Sequence, residues 1–457
     1  MNYLYSVNPF NDKLIHQRTL DSKKEILEKV VVANKAHGSW KKTSIEERSR
    51  FLEESSSILV NKKEVLAILI SEEMGKVISE SRAEIDKCIL LCRYYAENLE
   101  AFLKPDLVKN ELNGISSINY ESLGVILGVM PWNFPFWQVF RFAVPALASG
   151  NSVLLKHASN VSLSAEAIEA IFKEAYCELP IFQNLFIDNS SAEMLVGHPF
   201  IKAISLTGSE AAGKAVGSLG GKYLKKMVME LGSNDAFIVD STANIPLAAS
   251  EGARSRLINN GQSCIAAKRF ILAKEIYDEF LFYFKEYFEK IKHGNPLMED
   301  TQLGPLARKD LKINLQNQID DSISKGAKLT VCLQNDFDDS AFFSPSILEN
   351  VSINSSAYRE ELFGPVATFI KVDSMDEAIV IANDSLYGLG ASVWSANNDN
   401  IHRMIKELNV GSVFINNIVY SHPSLPFGGI NQSGYGRELS SFGIKEFVNI
   451  KSVFIKE

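Results

Sequence analysis

The 457-residue sequence is poor in cysteine: there are 5, an odd number at irregular spacing. That excludes a disulfide framework and favours a reducing compartment. No HExxH and no CxxC occurs, and the 7 histidines are scattered, so no metal site is expected. No apolar run is long enough to span a bilayer. The opening MNYLYSVNPFNDKLI lacks a charged stretch followed by a long apolar one, and a cytoplasmic protein is the expectation. A basic stripe is missing too. The 47 Lys and Arg face 55 Asp and Glu, for a net charge of −8 spread along the chain. Nucleic acid and membrane are therefore poor partners, and a small molecule is the better one. Internal repeats and low-complexity linkers are absent.

What is present is a folded globular composition, 46% hydrophobic and 22% charged, in a chain too long for one ordinary core. Helical spacing marks Asp21 to His37, Ile45 to Asn61 and Lys63 to Leu103. Cys88 and Cys92 share a face of the last, as two small apolar side chains facing a core. From Gly124 short apolar runs alternate with helices. Val125–Met130, Ser152–Leu155, Asn184–Ile187, Ala203–Leu206 and Phe237–Val239 read as strands; Phe136–Ala148, Leu163–Tyr176 and Ala211–Leu219 read as helices. This pattern predicts a parallel, doubly wound sheet. After Ser233 a second alternation follows, with strands at Arg269–Ala273, Lys328–Cys332, Thr368–Val372, Ser392–Trp394 and Val413–Ile415. Leu107 to Leu123 alternates like a hairpin outside the body, and FVNIKSVFIKE at the end alternates like an edge strand that a partner would cover.

Three short segments carry chemistry. Asn259-Asn260-Gly261-Gln262-Ser263-Cys264 puts a cysteine in a polar loop; alone, the packing explanation outweighs a reactive thiol. Pro131-Trp132-Asn133-Phe134-Pro135 is a stiff turn at the carboxyl end of a strand, where ligands bind in α/β sheets, and Asn133 offers an N–H to a developing oxyanion or makes an Asx turn. Met229-Glu230-Leu231-Gly232-Ser233 sets a carboxylate among apolar residues, either paired or tuned to act as a base. Gly208-Ser209-Glu210-Ala211-Ala212-Gly213-Lys214-Ala215 nearly matches a phosphate-binding P-loop but ends in Ala215 where Ser or Thr should hold magnesium, so a nucleotide hydrolase is a weak alternative.

Taken together, PWNFP, SLTGSEAAG, MELGS, NNGQSC, EELFGPV and LPFGG, in this order along nearly the whole chain, resemble the aldehyde dehydrogenase superfamily. KHAS, AAKRF and GYGREL bring it nearest to short bacterial succinate-semialdehyde dehydrogenases. The resemblance implies an α/β fold of two Rossmann-like domains with a small β oligomerisation arm: residues 1–106 and 124–232 binding a nicotinamide cofactor, 233–430 carrying the catalytic thiol, 107–123 and 431–457 forming the arm of a homodimer or homotetramer. It implies that Cys264 attacks the aldehyde, that Asn133 and the Cys264 N–H hold the oxyanion, and that Glu230 activates water to hydrolyse the thioester. It places NAD or NADP against Trp132, Lys156, Ser159, Gly208, Ser209, Glu361 and Phe363. Serine at 159, where NAD-specific relatives have glutamate, removes repulsion of a 2′-phosphate. For the substrate it implies that Arg141 bonds a carboxylate, with Ser424 as a further donor and Ile258 where some relatives have a second arginine. A broad aliphatic aldehyde dehydrogenase is the alternative. Glu230 argues against the acyl-CoA-forming branch, and the intact Cys264, Asn133 and Glu230 against a structural descendant.

Overall fold

A computed structural model describes residues 3–333 and 340–456. The chain opens with a hairpin, β1 (Tyr3–Val7) and β2 (Leu14–Thr19), and three helices, Lys23–Trp40, Ile45–Met74 and Ile78–Leu103. Ser22 caps the first through a reciprocal pair with Glu25, and Ser44 accepts from Glu47 N–H at the second. The expected helix from Lys63 to Leu103 is instead two. Asn61 and Lys62 do not interrupt the preceding helix, which runs on to Gly75, a left-handed C-cap at φ 76°. Cys88 and Cys92 are buried in the core.

Strands β3 (Asp106–Val108) and β4 (Gly114–Ser122) leave the body. The chain then builds a sheet from β5 (Val125–Val129), β6 (Ser152–Lys156), β7 (Phe182–Asn184), β8 (Ile201–Thr207) and β9 (Lys226–Glu230), all parallel, in the order β9-β8-β5-β6-β7. The strand expected at Asn184–Ile187 lies earlier: Leu185, Phe186 and Ile187 are buried but have left the ladder. Strand β9 was legible only as the surroundings of Glu230. One face of this sheet packs on Trp137–Ala148 and Ile78–Leu103, the other on Ile26, Val30 and Ala33 of the first helix.

The second sheet uses β10 (Ala236–Val239), β11 (Arg269–Ala273), β12 (Lys328–Val331), β13 (Ser346–Glu349), β14 (Val366–Val372), β15 (Gly390–Trp394) and β16 (Ser412–Ile415), in the order β12-β13-β14-β11-β10-β15-β16. Only the β12–β13 pairing is antiparallel. Strand β13, four residues long, was not anticipated from the sequence.

The end of the chain divides differently from the expectation that 431–457 is all arm. β17 (Gly434–Tyr435) adds antiparallel to β9, with Gly434 opposite Glu230, and Ser440–Glu446 is a helix against Trp137–Ala148. Only β18 (Val448–Lys456) joins the arm, pairing with β4 from Val448 opposite Ser122 to Lys456 opposite Gly114. The return through β17 is what brings residues 427–438 beside Glu230.

Candidate active site

The Asn133 turn is held from below by buried charge. Glu84, on the third helix, accepts from Phe136 N–H at 2.8 Å and Trp137 N–H at 2.9 Å, capping the helix that follows Asn133. Lys76 is its fully buried partner and lies 3.9 Å over the Phe134 ring. His157 closes the turn from the side. Its Nδ1 accepts from Ala158 N–H at 2.9 Å, so it carries its proton on Nε2, which donates to Pro135 O at 2.9 Å. Burial lowers its pKa to about 4 and keeps the ring neutral. Within this frame Asn133 is buried, and one N–H of its amide donates to Gln262 O at 3.1 Å. The second N–H is left for a ligand.

The Cys264 loop is folded by unusual backbone. Asn259, Asn260 and Gly261 are successive left-handed residues, at φ 56°, 57° and 78°. Asparagine tolerates that region, and at Gly261 a Cβ would sit 2.3 Å from the Gly364 carbonyl carbon, so only glycine fits. Asn259 Nδ2 donates to Asn133 O at 2.7 Å, tying the two loops together. Asn260 Nδ2 donates to Gly75 O and Pro305 O at 2.8 and 2.9 Å. The buried Lys268 ammonium donates to the carbonyls of Ser263 and Cys264 at 3.1 and 2.7 Å and pairs with Glu361 at 3.2 Å. Cys264 itself is half-buried against the cluster that holds Trp132 and Phe134. Burial pushes its thiol up to about 12, opposed by Arg141 and Lys268 and reinforced by Glu361 and Asp235. The resting group is thus a neutral thiol.

Glu230 ends β9, 2% exposed, and neither carboxyl oxygen has a hydrogen-bond partner among the described residues. Burial raises its pKa well above the carboxylate range; Glu438 raises it further, while Arg141 and Arg437 lower it. Glu438 is the residue that sequence reasoning missed. It lies in the GYGREL segment, 1% exposed, ion-paired with Arg141. Two buried carboxyls thus lie in the field of one buried guanidinium, which is ion-paired with Glu438 and opposes the rise of Glu230.

Arg141 was expected on the substrate carboxylate. The structure sets it lower: its Nε faces Glu438, a terminal nitrogen donates to Thr207 Oγ1 at 3.4 Å, and the guanidinium lies 4.4 Å from the centre of the Phe427 ring. Its charge is already shared before any substrate arrives, yet it acts on both Cys264 and Glu230. Ser424, expected as a further donor to the substrate, lies at the surface. It is exposed and bonded to His422 Nδ1 at 2.7 Å, whereas the buried Ser421 of the same loop faces inward and accepts from Lys87 Nζ at 2.6 Å. The prolines and glycines flanking LPFGG conceal which serine turns inward.

The residues expected to bind cofactor gather on strand ends. Ser209 is the exposed N-cap of helix Glu210–Lys222, and Gly208 N–H donates to Glu230 O at 2.9 Å, so that helix terminus lies next to Glu230. Lys156 ends β6, half-buried, its ammonium lowered by burial and raised by Asp188. Ser159 is exposed at the turn that follows. Trp132 and Phe363 meet edge to face at 5.9 Å, with Arg308 5.6 Å from the Trp132 ring centre. The P-loop reading loses its lysine: Lys214 lies within the helix, exposed and paired with Glu210.

Residues 2–453 match the aldehyde dehydrogenase family, and the chain belongs to it. The probable succinate-semialdehyde dehydrogenase (NADP+) of Synechocystis sp. is 42% identical over 98% of this chain and 99% of its own length. The succinate-semialdehyde dehydrogenase (NADP+) of Deinococcus radiodurans is 38% identical over 98% of this chain and 94% of its own. Among solved structures, succinic semialdehyde dehydrogenase from Streptococcus pyogenes, in complex with NADP+, superposes with a TM-score of 0.96 at 34% identity over 99% of this chain and 100% of that one.

Proposed function

We propose that this enzyme oxidises succinate semialdehyde to succinate with NADP as the hydride acceptor, through a thioester on Cys264. The observation that carries the reaction is that the loops of Asn133 and Cys264 are bonded to each other while Arg141 acts on both Cys264 and the unpartnered carboxyl of Glu230. In this reading the Cys264 sulfur attacks the aldehyde carbon, its proton passing to a water molecule as the bond forms. The second Asn133 N–H and the backbone N–H of Cys264 receive the oxyanion; one such donor is worth roughly 100- to 1000-fold in rate. A nicotinamide held beside Trp132, Glu361 and Phe363 would supply the acceptor for the hydride lost from the former aldehyde carbon, leaving Cys264 as a thioester. In its ionised form Glu230 takes the proton of the water that hydrolyses the thioester.

Several features of the chain suit a dinucleotide. The helix end at Ser209 offers free N–H groups to a diphosphate, Lys156 and Ser159 offer a cation and a hydroxyl to the ribose end, and Glu361 with Phe363 and Trp132 frames the nicotinamide end. Serine at 159 puts no charge against a 2′-phosphate, which supports NADP, as does the cofactor named for the relatives. The same names support the substrate. The unpaired cysteines suit a reducing cytoplasm. Apolar Leu107, Ile115, Ile450 and Ile455 are exposed on the arm, and β18 is an unpaired edge, which supports a homodimer or homotetramer closed over it.

The test is dinucleotide reduction by the purified enzyme. Succinate semialdehyde with NADP should give a kcat/KM at least ten times that for butanal, from the roughly 1.5–3 kcal/mol of a charge-assisted hydrogen bond. Equal values for the two aldehydes would replace this reading with a broad aliphatic specificity.

A further inference from the structure

A second cation lies beside Arg141 that neither the motifs nor the expected roles include. Lys87 projects from helix Ile78–Leu103, one turn after Glu84, which caps the helix that follows Asn133. Its ammonium donates to Ser421 Oγ at 2.6 Å and lies 4.3 Å from the centre of the Trp137 ring. The two residues holding it thus come from the helix after Asn133 and from the loop before LPFGG. Lys87 is in the electrostatic field of Cys264 and Arg141.

Three neighbouring cations are each paired with a carboxylate. Lys76 has Glu84, Arg141 has Glu438, and Lys268 has Glu361. Lys87 makes no ion pair with a carboxylate among the described residues, and its held contacts are a neutral hydroxyl and a ring face. Burial and the Arg141 charge pull its ammonium down to about 7. A cation held only by a neutral hydroxyl and a ring face, on the helix that supports the Asn133 turn, is suited to an anion.

We propose that Lys87, together with the Ser421 hydroxyl, binds the carboxylate at the far end of the semialdehyde whose carbonyl is attacked by Cys264. This rests on the reaction proposed above and names its specificity residue. The two methylenes of succinate semialdehyde set carboxylate and carbonyl carbons about 4 Å apart, so the acid end stays close to the carbon that Cys264 attacks. An ammonium is a point charge with three donors. One can stay on Ser421 while the others meet the carboxylate, and the Trp137 face maintains the charge between turnovers. In this arrangement Arg141 remains with Glu438, and Lys87 supplies the second positive charge that Ile258 cannot.

The test compares wild type, Lys87→Met, Lys87→Arg and Ser421→Ala on succinate semialdehyde and on butanal with saturating NADP. The wild-type preference alone judges the proposed function. For the Lys87 proposal the readout is the ratio of the two kcat/KM values. It should fall roughly 10- to 100-fold in Lys87→Met, mostly through KM for the charged aldehyde, and recover in part in Lys87→Arg. Succinate, tested as an inhibitor of butanal oxidation, should weaken by a similar factor in Lys87→Met. Ser421→Ala should show the same trend at lower amplitude. If the wild type prefers the charged aldehyde and Lys87→Met keeps that preference, or if both aldehydes lose equally, Lys87 is structural and the proposal falls.

Discussion

Replacing Glu438 by glutamine would remove the carboxylate that shares Arg141 with Glu230 while keeping its size. In the wild type Glu230 lies well above the ordinary carboxylate range, from burial first and from Glu438 second, against the pull of Arg141 and Arg437. Glu438 neutral ends the repulsion and leaves Arg141 with Glu230 as its buried carboxylate. An opposite charge in contact lowers a carboxyl by about 1 to 3 pH units. A general base works only when deprotonated, so a lower pKa extends its action toward acid. The acid limb of kcat, measured where thioester hydrolysis limits turnover, should therefore move down by at least about one pH unit in Glu438→Gln, whatever happens to the height of the plateau. An acid limb that stays in place, or moves up, would refute the shared-guanidinium account and leave Glu438 as a structural partner of Arg141.

Two further outcomes follow from the fold. Truncation after Phe447 removes β18 and bares β4, so light scattering should show loss of the dimer or tetramer; a wild type that is itself monomeric at micromolar concentration contradicts the role given to the arm. His157 is held neutral, with a folded pKa of about 4 against an ordinary 6.5. As pH falls from about 6.5 to about 4 the unfolded chain takes a proton the folded one refuses, so stability should drop across that window by up to ~3 kcal/mol, and the drop should shrink in His157→Asn; equal acid sensitivity in variant and wild type would remove His157 as its source.

The parts of this site legible in the sequence are those that sit in one short segment each. Cys264 follows a pair of asparagines and a glycine whose left-handed backbone only such residues adopt readily, and Asn133 sits between two prolines. Strand and helix alternation was legible for the same reason, since periodicity is local. What escaped acts through space. Glu438 reaches Arg141 from the far end of the chain only because β17 turns back along β9. Lys87 looks like any lysine on an amphipathic helix until Ser421 and Trp137 enclose it. Ser424 came from the family resemblance, and nothing local in the sequence shows that Ser421 is the buried serine of that loop. The helix break at Gly75 was read too early, at Lys62, because a charged pair interrupts apolar spacing without interrupting the backbone.

The central claim is that a thioester forms on Cys264 and that Glu230 clears it. Glu230→Gln, mixed with succinate semialdehyde and NADP and quenched within the first turnover, tests both by mass spectrometry of the intact and digested protein. The account predicts a succinyl group on the peptide that contains Cys264, together with a burst of reduced dinucleotide close to one equivalent per subunit and little turnover afterwards. An unmodified Cys264 with steady turnover near the wild-type rate, or an acyl group on another residue, would contradict it.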